Sequence, residues 1–89
     1  MNAATSKQLH PQNGGRFVFW RTHAEPLCYG VAVYVHDGRT FAGELSWSEQ
    51  GASLEGELPV GPLRDEVIKL ARSLRAKAPE RMTRWRSLS

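Results

Sequence analysis

Between Arg39 and Trp47 the chain alternates cleanly. Phe41, Gly43, Leu45 and Trp47 fall on one side, and Thr40, Ala42, Glu44 and Ser46 on the other. Period two over that length is the pattern of a strand with one face buried and one face wet. Residues 52–58 repeat it, with Ala52, Leu54 and Leu58 opposed to Ser53, Glu55 and Glu57. Two earlier segments, 16–22 and 27–35, are aromatic and β-branched and are broken apart near Pro26, so the sequence predicts four strands in succession.

The second turn can be tested against the faces it must align. A two-residue Asp37-Gly38 loop would place Val31, Val33 and Val35 on one face with Thr40, Ala42 and Glu44. A three-residue loop, His36-Asp37-Gly38 with Gly38 left-handed, instead sets Val33 opposite Phe41 and Tyr29 opposite Leu45. The buried face selects the longer loop.

A helix follows. Pro62 suits its first turn, and Asp65 and Glu66 sit near the positive end of its dipole. Leu63, Val67, Leu70, Ala71, Leu74 and Ala78 recur at spacings of three and four, and Pro79 ends the run. The expected fold is α+β: a four-stranded antiparallel meander (ββββα) with one C-terminal amphipathic helix packed on one face. Residues 16–78 form the single domain. Residues 1–15 read as a flexible arm, and 79–89 as a basic extension in which Met82 and Trp85 pack back as a short helical turn.

One helix cannot cover both faces of a sheet. With an even-numbered first turn, His23 to Pro26, Trp20 lies opposite Tyr29 and Val18 opposite Val31, towards the helix. Phe17, Phe19 and Arg21 then face the other way, beside Gly30, Ala32, Tyr34 and Ala42, and make an aromatic patch over small residues. An odd-numbered turn reverses this, burying Phe17 and Phe19 and exposing Val18 and Trp20. A third arrangement folds residues 1–15 across the face.

Charge is divided unevenly. Residues 1–63 carry four basic and six acidic side chains, whereas residues 64–89 carry eight and three. Arg64, Lys69, Arg72 and Arg75 project from the helix, and Arg81, Arg84 and Arg86 extend the basic run, with Trp85 among them as a base-stacking candidate. A sheet backed by a basic helix is, in outline, the layout of double-stranded RNA-binding domains. This chain lacks their first helix, and Pro62, Asp65 and Glu66 stand where their last helix begins with lysines. Pairing of Asp65 with Lys69 and the suitability of Arg75 and Lys77 for the helix C-terminus explain part of the basic run without any ligand.

Catalytic and metal chemistry find little footing. Cys28 and His36 stand at opposite ends of one strand, about 27 Å apart at 3.3–3.4 Å per residue. Cys28 and His23 flank the first turn with no third orienting group. His10, His23 and His36 are each alone, and one cysteine makes neither a disulfide nor a structural zinc site. Glu44 across from Glu55 or Glu57 reads as solvated surface. No glycine-rich phosphate loop, no apolar run near bilayer length and no secretory signal core occur.

The sequence therefore leads to the expectation of a small cytoplasmic, non-enzymatic module without cofactor, metal or small-molecule substrate. It would work by protein contact, most simply as a homodimer, through Phe17, Phe19, Arg21, Gly30, Ala32, Tyr34 and Ala42. The alternative is nucleic-acid binding through the basic helix and tail.

Overall fold

A computed structural model describes residues 14–87. Its elements are β1 (Gly14–Ala24), β2 (Leu27–Val35), β3 (Thr40–Ser48), β4 (Gly51–Gly56), α1 (Pro62–Lys77) and β5 (Arg81–Ser87). The class is α+β, with one five-stranded sheet in the order β4-β3-β2-β1-β5 and every neighbouring pair antiparallel. The first four strands form the expected meander.

The fifth strand corrects the expected helical turn after Pro79. Residues 81–87 lie along the free edge of β1, with Met82 opposite Phe19 and Trp85 opposite Arg16. The cause is an unpaired edge: β1 would otherwise present a row of open N–H and C=O groups. Sixteen helical residues at 1.5 Å each span about 24 Å, enough to carry the chain from β4 back over the roughly 19 Å between the outer strands. Gly14 and Gly15, assigned above to the arm, open β1 instead; the rest of that arm lies outside the described residues.

The loop between β2 and β3 is the three-residue one that the alternation selects. Gly38 has a φ of +94°, and Val35 closes the turn by donating to Arg39 O at 2.8 Å and accepting from Gly38 N–H at 2.9 Å. Val33 falls opposite Phe41 and Tyr29 opposite Leu45.

The first turn behaves differently. Ala24 pairs with Leu27 across the two-residue Glu25-Pro26 loop, so the loop is even-numbered, but one extra residue is inserted between Arg21 and His23. That bulge shifts the parity of everything before it. Phe17 lies opposite Val33, Phe19 opposite Val31 and Arg21 opposite Tyr29, all on the face that α1 covers. Phe17 and Phe19 are 0% exposed. Their placement on the open face is thus overturned, and Val18 and Trp20 take it.

The core lies between this face and the helix stripe of Leu63, Val67, Leu70, Ala71 and Leu74. At the helix C-terminus Ala78 takes a positive φ of 45° and donates its N–H to Leu74 O at 2.7 Å. Three bonds fasten the turn that follows to the sheet. Arg21 donates from Nη1 to Ala78 O at 2.8 Å and from its backbone N–H to Glu80 O at 2.9 Å, and the Tyr29 hydroxyl donates to Pro79 O at 2.6 Å. Arg21 is a tie beneath the helix end, on the covered face and not on the open one.

Candidate functional site: the open sheet face

The face away from α1 can be read strand by strand from β4 to β5. One cross-strand row runs Glu55, Glu44, Gly30, Trp20, Arg81. The next runs Ala42, Ala32, Val18, Thr83, and the third Thr40, Tyr34, Arg16, Trp85. Gly30, Ala32, Tyr34 and Ala42 stand on the open face where the sequence put them, while its large neighbours are Trp20, Val18 and Trp85.

Trp20 lies across Gly30 so closely that a Cβ at position 30 would run into the indole. The glycine is therefore a seat for the ring, and Trp20 remains 37% exposed. Tyr34 is 41% exposed. Its ring and that of Trp85 are visited by one cation: the Arg16 guanidinium carbon is 4.5 Å from the Tyr34 ring centre and 5.6 Å from that of Trp85. Cation–π attraction offsets the desolvation of Arg16 Nε, which is buried without a hydrogen-bond partner among the described residues.

Acid occupies the opposite half. Glu44 and Glu55 are directly paired across β3 and β4, so Glu55 rather than Glu57 is the partner. Glu57 is engaged with β3: its Oε1 accepts from Ala42 N–H at 2.9 Å and its own N–H donates to Ala42 O at 2.9 Å. The open face is thus polar in a directional sense, acidic over β3 and β4 and cationic over β1 and β5.

The basic residues expected to form one nucleic-acid surface are dispersed. Arg64 donates to Leu54 O at 2.7 Å, and Arg86 is held by Glu66 at 3.2 Å and by Trp85 O at 3.0 Å. Lys69, Arg72 and Arg75 are exposed on the helix, with Arg72 and Arg75 beside a surface hollow that Trp47, Gly51 and Ala52 also line. Arg84 shares the helix side of β5 with Met82, opposite Phe17, whereas Arg81 and Trp85 belong to the open face.

Of the remaining candidates, the fold brings His23 and Cys28 side by side as cross-strand neighbours, but His23 Nδ1 is 3.2 Å from Thr22 Oγ1 and Cys28 is half-buried. His36 Nδ1 lies 3.2 Å from Gly14 O. Among the described residues no three His, Cys, Asp or Glu side chains gather into a metal-ligating group. No helix there is long and apolar enough to cross a membrane.

Arg16 is not foreseen on this face, and Val18 and Trp20 enter the sequence reading only as the alternative for an odd-numbered turn, because residues 17–20 are apolar on both sides and alternation alone cannot choose a face. The usable signal was polar: Trp20 carries an indole N–H and Arg16 a guanidinium, groups that need a partner or water, whereas Phe17 and Phe19 carry nothing polar. No family model, no curated protein and no solved structure matches this chain.

Proposed function

We propose that this chain is a small, cytoplasmic, non-enzymatic protein-interaction module that docks through its open sheet face. The observation that carries the reading is the pairing of large, partly exposed rings with a small-residue floor. Trp20 and Tyr34 are each more than one-third exposed, beside Ala32 and Ala42, on a sheet whose other face is closed by α1. Apolar patches rimmed by charge are the usual mark of a docking surface. Trp20, rigid and held by Gly30, is the kind of anchor on which interface energy concentrates.

Base stacking is a weaker use of the same rings. Arg16 already occupies the surroundings of Tyr34 and Trp85, and Glu44 and Glu55 share the face with Trp20 and would repel phosphate. The test uses three immobilised baits: the native chain, Trp20→Glu and Arg72→Glu. Specific protein partners, second copies included, are expected on the native and Arg72→Glu baits and to be lost on Trp20→Glu. Fluorescence anisotropy of labelled single- and double-stranded RNA and DNA across a salt series supplies the opposing outcome. Micromolar binding that collapses with salt and weakens in Arg72→Glu would replace this reading with the nucleic-acid one.

A further inference from the structure

The row Glu55, Glu44, Gly30, Trp20, Arg81 is complementary to itself when reversed. We infer that the occupant of the open face is a second copy of this chain, stacked sheet to sheet about a two-fold axis parallel to the central strand β2. This rests on the open face being a docking surface and names its partner.

The argument is one of symmetry and charge. Two sheets facing each other about 10 Å apart can be related by a two-fold axis lying between them, either along the strands or across them. An axis across the strands stacks every strand on itself, and centred on this row it sets Glu44 and Glu55 against Glu44 and Glu55 and Arg81 against Arg81. An axis along β2 exchanges the two halves. Glu55 then meets Arg81 of the second copy, Glu44 meets Trp20, whose indole N–H is a donor, and Gly30 meets Gly30. With this row as the contact, like charges oppose the first arrangement and opposite charges favour the second.

Dimensions agree with this. Stacked sheets are usually rotated by about 30°, which moves a position about 10 Å from the axis by about 5 Å, within reach of an arginine side chain. Five strands at about 4.8 Å spacing and seven or so residues of length give a face of roughly 600 Å², so two copies bury about 1,200 Å², the lower bound for a specific interface. Each Trp20 ring lies flat over its own Gly30, and the small residues Ala32 and Ala42 in the adjoining row leave room between the sheets.

A charge swap tests the register. Within one copy Glu55 and Arg81 lie on opposite outer strands, about 19 Å apart, and cannot pair. Any rescue between them is therefore intermolecular. Sedimentation equilibrium on the native chain, Arg81→Glu, Glu55→Arg and the double variant is expected to show a native dimer. Each single reversal should raise its Kd on the order of tenfold or more, and the double variant should return towards the native value. A native chain that stays monomeric to millimolar concentration overturns the inference, leaving the docking reading to the bait experiment. A dimer indifferent to both reversals but broken by Trp20→Glu overturns the register and keeps the face. A dimer indifferent to all three variants overturns inference and docking face together. Circular dichroism of each variant confirms that loss of dimer is not loss of fold.

Discussion

The two faces of the sheet are made from the same strands, one residue out of step, and they use their side chains differently. The covered face holds Phe17, Phe19, Tyr29, Val31, Val33 and Leu45 at 0% exposure, interleaved with the leucines and valine of α1. On the open face, between them, stand Val18, Trp20, Gly30, Ala32, Ala42 and Glu44. Apolar character alone does not separate the two, since Trp20 and Val18 are as hydrophobic as Val31. What separates them is where polar atoms and size are placed. Almost every side chain on the covered face is large and without a polar atom. Among the exceptions are Tyr29, whose hydroxyl donates to Pro79 O, and Arg21, whose guanidinium donates to Ala78 O. The open face has one large ring seated on a glycine, small neighbours, and charge divided between its two sides. A face built for a fixed helix can be filled with bulk, whereas a face built to receive something must keep room.

The largest effect expected from this contrast is on stability. Phe19→Ala removes a fully buried ring between Val31 and Met82 and should cost about 3–5 kcal/mol in urea unfolding. Trp20→Ala, one residue away, should cost less than about 1 kcal/mol in the monomer because the ring is already partly wet. Equal losses at the two positions would break the comparison. A loss confined to Phe19 would confirm that Phe19, and not Trp20, faces the core.

The bulge between Arg21 and His23 marks where legibility in the sequence ends. The β3 and β4 alternation, the three-residue loop with Gly38, the pairing of Val33 with Phe41 and the helix stripe from Leu63 to Leu74 were all readable. Each is fixed by a local pattern with one buried face. The β1 face was not readable, because a single inserted residue reverses parity and 17–20 is apolar on both sides. β5 was missed for a different reason. Its pairing with β1 spans more than sixty residues of chain, and its basic residues masked the strand pattern of Met82, Thr83 and Trp85. Of the candidate site, the floor of Gly30, Ala32 and Ala42 and the Tyr34 ring beside it were visible because they belong to β2 and β3. The rings above it depend on β1 and β5.

Tyr29 sharpens the comparison as a fully buried side chain on the covered face that carries a polar atom. Tyr29→Phe leaves Pro79 O without its donor and should cost about 1–2 kcal/mol. Burial raises the pKa of Tyr29, an effect that the nearby Arg21 opposes only in part. The sign follows: below the unfolded tyrosine pKa both states are protonated and the contribution is complete. Above it the unfolded chain ionises first, so stability falls as pH rises from about 10 through the higher folded value. The difference between native and Tyr29→Phe stability should therefore be constant at neutral pH and shrink above pH 10. Unfolding curves collected across that range would show it, and a constant difference throughout would mean that the hydroxyl is not desolvated.

A smaller gain is expected where the helix ends over the covered face. Ala78 holds a φ of +45°, a region that a Cβ disfavours and glycine accepts freely. Ala78→Gly should stabilise the fold by about 0.5–1 kcal/mol, despite the extra freedom of the unfolded chain. Destabilisation would show instead that the methyl group packs usefully under the Arg21 guanidinium.

The smallest effect belongs to Asp37, at the end of the sheet where the faces meet solvent. Its carboxylate accepts from the Arg39 backbone N–H at 3.0 Å and from Arg39 Nε at 2.8 Å, and its pKa is lowered, first by that backbone hydrogen bond. A lowered folded pKa gives a contribution that is present above the unfolded aspartate value and is lost as pH falls through the folded one. Asp37→Asn should therefore reduce stability near neutral pH and make no difference once both forms of the native chain are protonated. The Asp37 carboxyl resonance followed by NMR should titrate below an ordinary aspartate. If it titrates normally, the three-residue loop is held by Gly38 and the Val35–Arg39 backbone pair alone, and the ion pair with Arg39 is incidental to the register of β2 on β3.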